Sequence, residues 1–227
     1  MIFKNFDELF SPKSISDIVF PDNDSQELIH DIVNGDLPFP VTEGKCGVLL
    51  HGIPGTGKSA LAKLLPNAIE RSRTGNQSDE QYIRIQPGSN GVTLLQQLAT
   101  RVSYVPSNSC HYTVLDEVDN LSVQAMAVLK SIMNTPLTVW ILTTNRYQSI
   151  EAGIQSRCHC VSFNAAEPES WLPLAHRMLN HAGVIGIKDS DLIEVIKTGE
   201  GSAREITTAI AQVANKVRRL NQPKVNQ

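Results

Sequence analysis

No pair among the four cysteines, Cys46, Cys110, Cys158 and Cys160, has the Cys-x-x-Cys spacing of a zinc knuckle or a dithiol redox site. Cys158 and Cys160 alternate along an expected strand and share a face, but without histidine partners there they read as reduced thiols. No apolar run reaches the roughly 18 residues that span a bilayer. The N-terminus, with Lys4, Asp7 and Glu8 close to Met1, lacks the apolar core of a signal peptide. A cytoplasmic protein with no membrane partner is the expectation. Neither charge dominates: 20 Lys and Arg against 23 Asp and Glu give a net charge of -3. That balance excludes a chain-wide basic field for nucleic acid or anionic lipid, though not a local patch. Internal repeats and low-complexity tracts are also missing.

What is present is the composition of a folded globular chain, with 41% hydrophobic and 19% charged residues. At 227 residues the sequence is long for one compact domain and short for two, which suggests a core with a small appendage. Residues 1–24 read as extended, broken by Pro12 and Pro21, and residues 25–33 as a helix capped by Asp24 or Ser25. Strands are expected at 46–51, 82–86, 111–115, 138–143 and 154–163, and helices at 58–69, 92–102 and 122–133, with a polar connection at 71–81. This alternation predicts an α/β fold, a parallel sheet flanked by helices. After a hinge at 165–168 the pattern becomes three helices, at 171–182, 189–198 and 202–220. The expected domains are a core at 1–164, a helical unit at 165–221 and a frayed tail at 222–227.

The run Gly52-Ile-Pro54-Gly55-Thr56-Gly57-Lys58-Ser59 fits G-x-x-x-x-G-K-[ST] between an apolar strand and a helix, the context that makes it a P-loop. Glycines there let backbone N–H groups turn inward around phosphate oxygens, and the helix N-terminus adds partial positive charge. Lys58 then reaches the β and γ phosphates, and the Ser59 hydroxyl serves Mg2+. The strand at 111–115 runs into Asp116, Glu117 and Asp119. Carboxylates at the carboxyl edge of a parallel sheet share a crevice with the P-loop. Asp116 suits a magnesium-linked role and Glu117 the polarisation of an attacking water, while Asp119 is expected to cap the next helix.

With both motifs in place, further stretches carry a family resemblance. The strand ending in Asn145 resembles sensor 1 of AAA+ ATPases. Ser156-Arg157-Cys158 resembles the Ser-Arg-Cys motif of clamp-loader subunits, and Gly201-Ser-Ala-Arg204-Glu resembles sensor 2. The stretch from Ser11 through Ile18 and Val19 resembles the lead-in segment that lines the adenine pocket of clamp-loader ATPases. The resemblance runs from residue 10 to about residue 215 and has no counterpart of the collar that holds clamp-loader pentamers together.

This resemblance implies a P-loop AAA+ core with a three-helix lid, ATP/ADP and Mg2+ as ligands, and ATP hydrolysis. It implies that Asn145 positions the water, that Arg204 touches the γ phosphate of its own subunit, and that Arg157 reaches the ATP of a neighbour. A homo- or hetero-oligomer follows, with DNA and a DNA-bound protein ring as implied partners. By analogy the helix at 92–102 would face them, with Tyr104 and Val105 as its apolar end. Two alternatives stand beside this reading: a nucleotide-gated binding module, and a helicase-loader or transposition-type regulator.

Overall fold

A computed structural model describes residues 10–221; the tail expected at 222–227 and the first nine residues lie outside it. Five strands, β1 (Gly47–His51), β2 (Glu80–Arg84), β3 (His111–Asp116), β4 (Thr138–Thr144) and β5 (Cys158–Ser162), form one sheet in the order β2-β3-β4-β1-β5. All four pairings are parallel. Helix α1 (Asn23–Asn34) precedes β1; parallel neighbours need crossovers, which α2 (Lys58–Thr74), α3 (Val92–Val102), α4 (Val123–Ile132) and the short α5 (Ala152–Gln155) accompany.

Successive residues of a strand face opposite ways, and the core divides accordingly. Val48 and Leu50 of β1 join Val114, Val139 and Ile141 on one face, against Ile29 and Ile32 of α1 and Leu61, Leu65 and Ile69 of α2. Leu49 joins Leu115, Trp140 and Leu142 on the other, against Leu95 and Leu98 of α3 and Leu129 of α4. A sheet covered on both faces explains why β3 and β4 are buried along their whole length rather than on alternate residues.

Three helices follow β5: α6 (Leu172–His181), α7 (Asp189–Lys197) and α8 (Ala203–Asn221). They enclose a separate cluster that includes Trp171, Met178, Leu192, Ile196, Ile206 and Ile210. Phe10 and Val19 pack against this cluster, whereas Ile15 and Phe20 are buried in the sheet core. The lead-in segment is thus held by both bodies.

Several local expectations are corrected. Helix α1 is capped not by Asp24 or Ser25 but by Asp22, whose carboxylate accepts from the Ser25 amide at 2.7 Å. The polar run after Ile69 stays helical to Thr74, because Thr74 donates to Glu70, Arg73 donates to the Phe39 carbonyl, and Gly75 closes the helix in the left-handed region. Strand β2 starts at Glu80, two residues earlier than expected, where its register on β3 begins with Glu80 opposite Tyr112. Ile154 lies in α5 and not on a strand; the Gln155 and Ser156 amides donate to Glu151 and Ala152, which closes a helical turn before β5.

Candidate nucleotide and metal site

The P-loop leaves the carboxyl end of β1 and enters α2 at Lys58. Gly52 has φ +146 and Gly55 φ +84, both in a region that favours glycine. A Cβ on Gly52 would lie 2.5 Å from the Phe163 carbonyl oxygen, and one on Gly55 would collide with Ser202, just ahead of α8. The loop is therefore pressed between the end of β5 and the helical unit. Buried Thr56 fastens it, donating to the Phe163 carbonyl at 2.8 Å. The Lys58 ammonium donates to the carbonyls of Gly52 at 2.9 Å and Ile53 at 2.5 Å. Burial pushes its pKa down to about 8, against the opposing pull of Asp116 and Asp119.

Asp116 ends β3 and is buried. Its Oδ1 accepts from the Ser59 hydroxyl at 2.7 Å and the Thr143 hydroxyl at 2.6 Å, and its Oδ2 accepts from the Tyr82 hydroxyl at 2.6 Å. Burial alone would raise this carboxyl; the hydrogen bonds from Thr143, Tyr82 and Ser59 outweigh it and hold the group below its ordinary value. The next residue, Glu117, sits in the left-handed region at φ +62, which is uncommon for a residue with a side chain. Its amide donates to Thr143 Oγ1 at 3.0 Å, and its carboxylate receives Arg84 at 2.7 Å and the Asn120 amide at 3.3 Å. Asp119 caps no helix: it accepts from Thr144 and Arg146, both at 3.0 Å, and Ser122 caps α4.

One cavity of about 370 Å3 gathers Pro54, Gly55, Gly57, Lys58 and Ser59 from the P-loop, with Asp116, Glu117, the exposed Asn145 and Arg204. Lys63, Tyr82 and Arg84 also line it, and no motif pointed to them; Thr143, on the strand that leads into Asn145, lines it too. Gly57 and Arg204 continue into a second cavity of about 440 Å3, less polar and walled by Phe10, Ser11, Pro12, Met178 and Thr207. Ile18 and Val19, expected at the adenine pocket, line a different cavity beside Arg177, and the part of the lead-in segment that shares a cavity with Gly57 and Arg204 is 10–12. Arg157 stands apart from the other expected site residues. It precedes β5, at the amino edge of the sheet, where Nε donates to Asn134 Oδ1 at 2.8 Å and Nη1 to the Gly153 carbonyl at 2.6 Å.

The donor set suits a hard divalent cation. Hydroxyl and carboxylate oxygens meet at Ser59 and Asp116, with no softer ligand among the residues lining the cavity. A P-loop after β1, carboxylates after β3 and an asparagine after β4 of a 2-3-4-1-5 parallel sheet, followed by a helical bundle, define a P-loop protein with the AAA+ fold. The pattern of the ATPase family associated with various cellular activities (AAA) matches residues 48–164, just over half of the chain, and the chain belongs to that family.

Within the family the chain is similar to the replication factor C small subunit of Picrophilus torridus, at 24% identity over 204 residues. That match takes in 87% of this chain and 60% of the relative's length. Among solved structures, the RuvB Holliday junction branch migration motor of Thermotoga maritima superposes with a TM-score of 0.70 at 15% identity, over 96% of this chain and 69% of that one. A DNA polymerase III gamma subunit-related protein of the same organism does so at 0.57 and 18% identity, over 86% of this chain and 60% of that one. The AAA+ fold and the clamp-loader-like resemblance of the sequence both stand. Among the described residues no helix is long and apolar enough to cross a membrane.

Proposed function

We propose that this chain binds ATP with magnesium and hydrolyses it as one subunit of an oligomer in DNA metabolism, as a loader or remodeller. The observation that carries the reading is the gathering of Lys58, Ser59, Asp116, Glu117, Asn145 and Arg204 on one cavity while Arg157 stands at the other edge of the sheet. Ser59 and Asp116 would hold the magnesium, which supplies charge neutralisation on the phosphate oxygens. Lys58 and Arg204 donate to phosphate oxygens, Asn145 orients the water, and the Glu117 carboxylate accepts the proton that the water gives up as it attacks. The adenine would lie in the cavity walled by 10–12 and α8, so that bound nucleotide joins the core to the helical unit, which acts as a lid. Arg157, away from this cavity, would act at a neighbour's nucleotide, where a cationic finger contributes about a thousandfold or more in rate.

The replication factor C small subunit and the RuvB motor point to DNA as a partner, and the exposed Tyr104 and Val105 after α3 offer an apolar end to a protein ring. Phosphate release measured with no DNA, double-stranded, single-stranded and primed DNA tests the reading. Stimulation by one of them is expected, and primed DNA marks a loader. Turnover indifferent to all of them turns the account toward a second reading, a nucleotide-gated binding module. The Arg84 and Asn120 contacts that occupy both oxygens of Glu117 favour that alternative.

A further inference from the structure

Tyr82 belongs to none of the motifs that marked the site, yet its hydroxyl donates to Asp116 Oδ2 at 2.6 Å. Ser59 and Thr143 both address Oδ1, so Tyr82 is the one donor to Oδ2 among the described residues. Ser59 and Thr143 hold one oxygen in place, and a third donor on the other oxygen adds an independent restraint on the plane of the carboxylate. The tyrosine is 37% exposed, and its partial burial and the Asp116 carboxylate together push its phenol well above its ordinary value, so the hydroxyl keeps its proton for this bond. Its ring is held in turn by Lys63, one helical turn beyond Ser59 on α2, whose ammonium lies 4.5 Å from the ring centroid. A cation over the ring draws electron density from the phenol and makes its O–H a stronger donor.

We propose that Tyr82 is a positioning residue of the magnesium site: it holds Asp116 in the orientation in which that carboxylate and the Ser59 hydroxyl serve one metal ion. The proposal rests on reading Ser59 and Asp116 as the magnesium-holding pair. Outer partners of metal-linked carboxylates carry a cost of about tenfold or more in metal affinity when removed. Tyr82→Phe keeps the ring and its stacking with Lys63 and removes only the donor.

The test is binding of a fluorescent ADP analogue, first in EDTA and then through a magnesium titration, with Asp116→Asn measured alongside. Tyr82→Phe is expected to match wild type in thermal midpoint and in nucleotide affinity under EDTA, while its half-saturating magnesium concentration rises about tenfold. A magnesium titration unchanged in Tyr82→Phe but shifted in Asp116→Asn overturns the role of Tyr82 and leaves the metal site standing. If neither variant shifts, the metal site fails with it. Equal losses with and without magnesium in Tyr82→Phe also overturn the proposal, because they mark a purely structural role.

Discussion

Arg84, at the end of edge strand β2, reaches across to Glu117 after β3, and the two side chains meet at 2.7 Å. The other Glu117 oxygen faces the Asn120 amide at 3.3 Å. A general base needs a carboxylate oxygen turned toward water, and an ion pair holds it aside. Arg84→Ala is therefore expected to raise basal turnover at saturating ATP by about threefold, by releasing Glu117. Steady-state phosphate release decides the matter; a fall in kcat would show that the arginine serves the phosphates instead.

Lys58 makes stability and binding oppose one another. Burial lowers its pKa from 10.5 to about 8. Below pH 8 the lysine is charged in both the folded and unfolded states; between about 8 and 10.5 only the unfolded chain keeps the proton. Stability from this group therefore rises with pH across that window. Lys58→Met is expected to melt higher than wild type at pH 7, with the gap closing as pH rises from 8 to 10.5, and to lose nucleotide binding. Thermal melts across that range check it, and a variant that melts lower at pH 7 contradicts it.

Glu70 is buried on α2, far along the helix from the P-loop, and accepts from the Ser109 amide at 3.2 Å, Thr74 at 2.8 Å, Tyr112 at 2.9 Å and the Ser109 hydroxyl. Burial pushes its carboxyl up, but the donors of Ser109, Thr74 and Tyr112 outweigh it and bring it below 4.5. A lowered carboxyl contributes stability above its unfolded value that is lost as pH falls through the folded one. Glu70→Gln is expected to cost about 2 kcal/mol at pH 7, by denaturant unfolding, with the loss shrinking below pH 4.5. A loss of the same size at pH 3.5 would exclude the ionised carboxylate as its source.

The P-loop, Asp116, Glu117, Asn145 and Arg204 were legible because each lies at a strand end or helix start, and parallel strands bring such ends to one edge. Arg84 and Tyr82 were not, since sheet adjacency rather than spacing carries them to the site: β2 precedes β3 by a whole helix, and only the register that places Arg84 opposite Asp116 reveals the contact. Ile18 and Val19 line a cavity apart from the P-loop, and the sequence hid this for a related reason. The lead-in segment crosses from the sheet core at Ile15 and Phe20 to the helical bundle at Phe10 and Val19, and its sequence carries no sign of which side faces the P-loop. Local patterning also misplaced Ile154, whose apolar neighbourhood suits a buried strand and a buried helical turn equally well.

The measurement that bears most directly on a shared site mixes two inactive variants, Glu117→Gln and Arg157→Ala. A subunit that keeps its base but has lost its arginine can be completed only by a neighbour that has lost its base and kept its arginine. In an equal mixture of subunits about a quarter of the sites are complete, so turnover should recover to roughly a quarter of wild type and fall on dilution. A mixture no more active than the average of its two components, at every concentration, would contradict action of Arg157 across a subunit boundary.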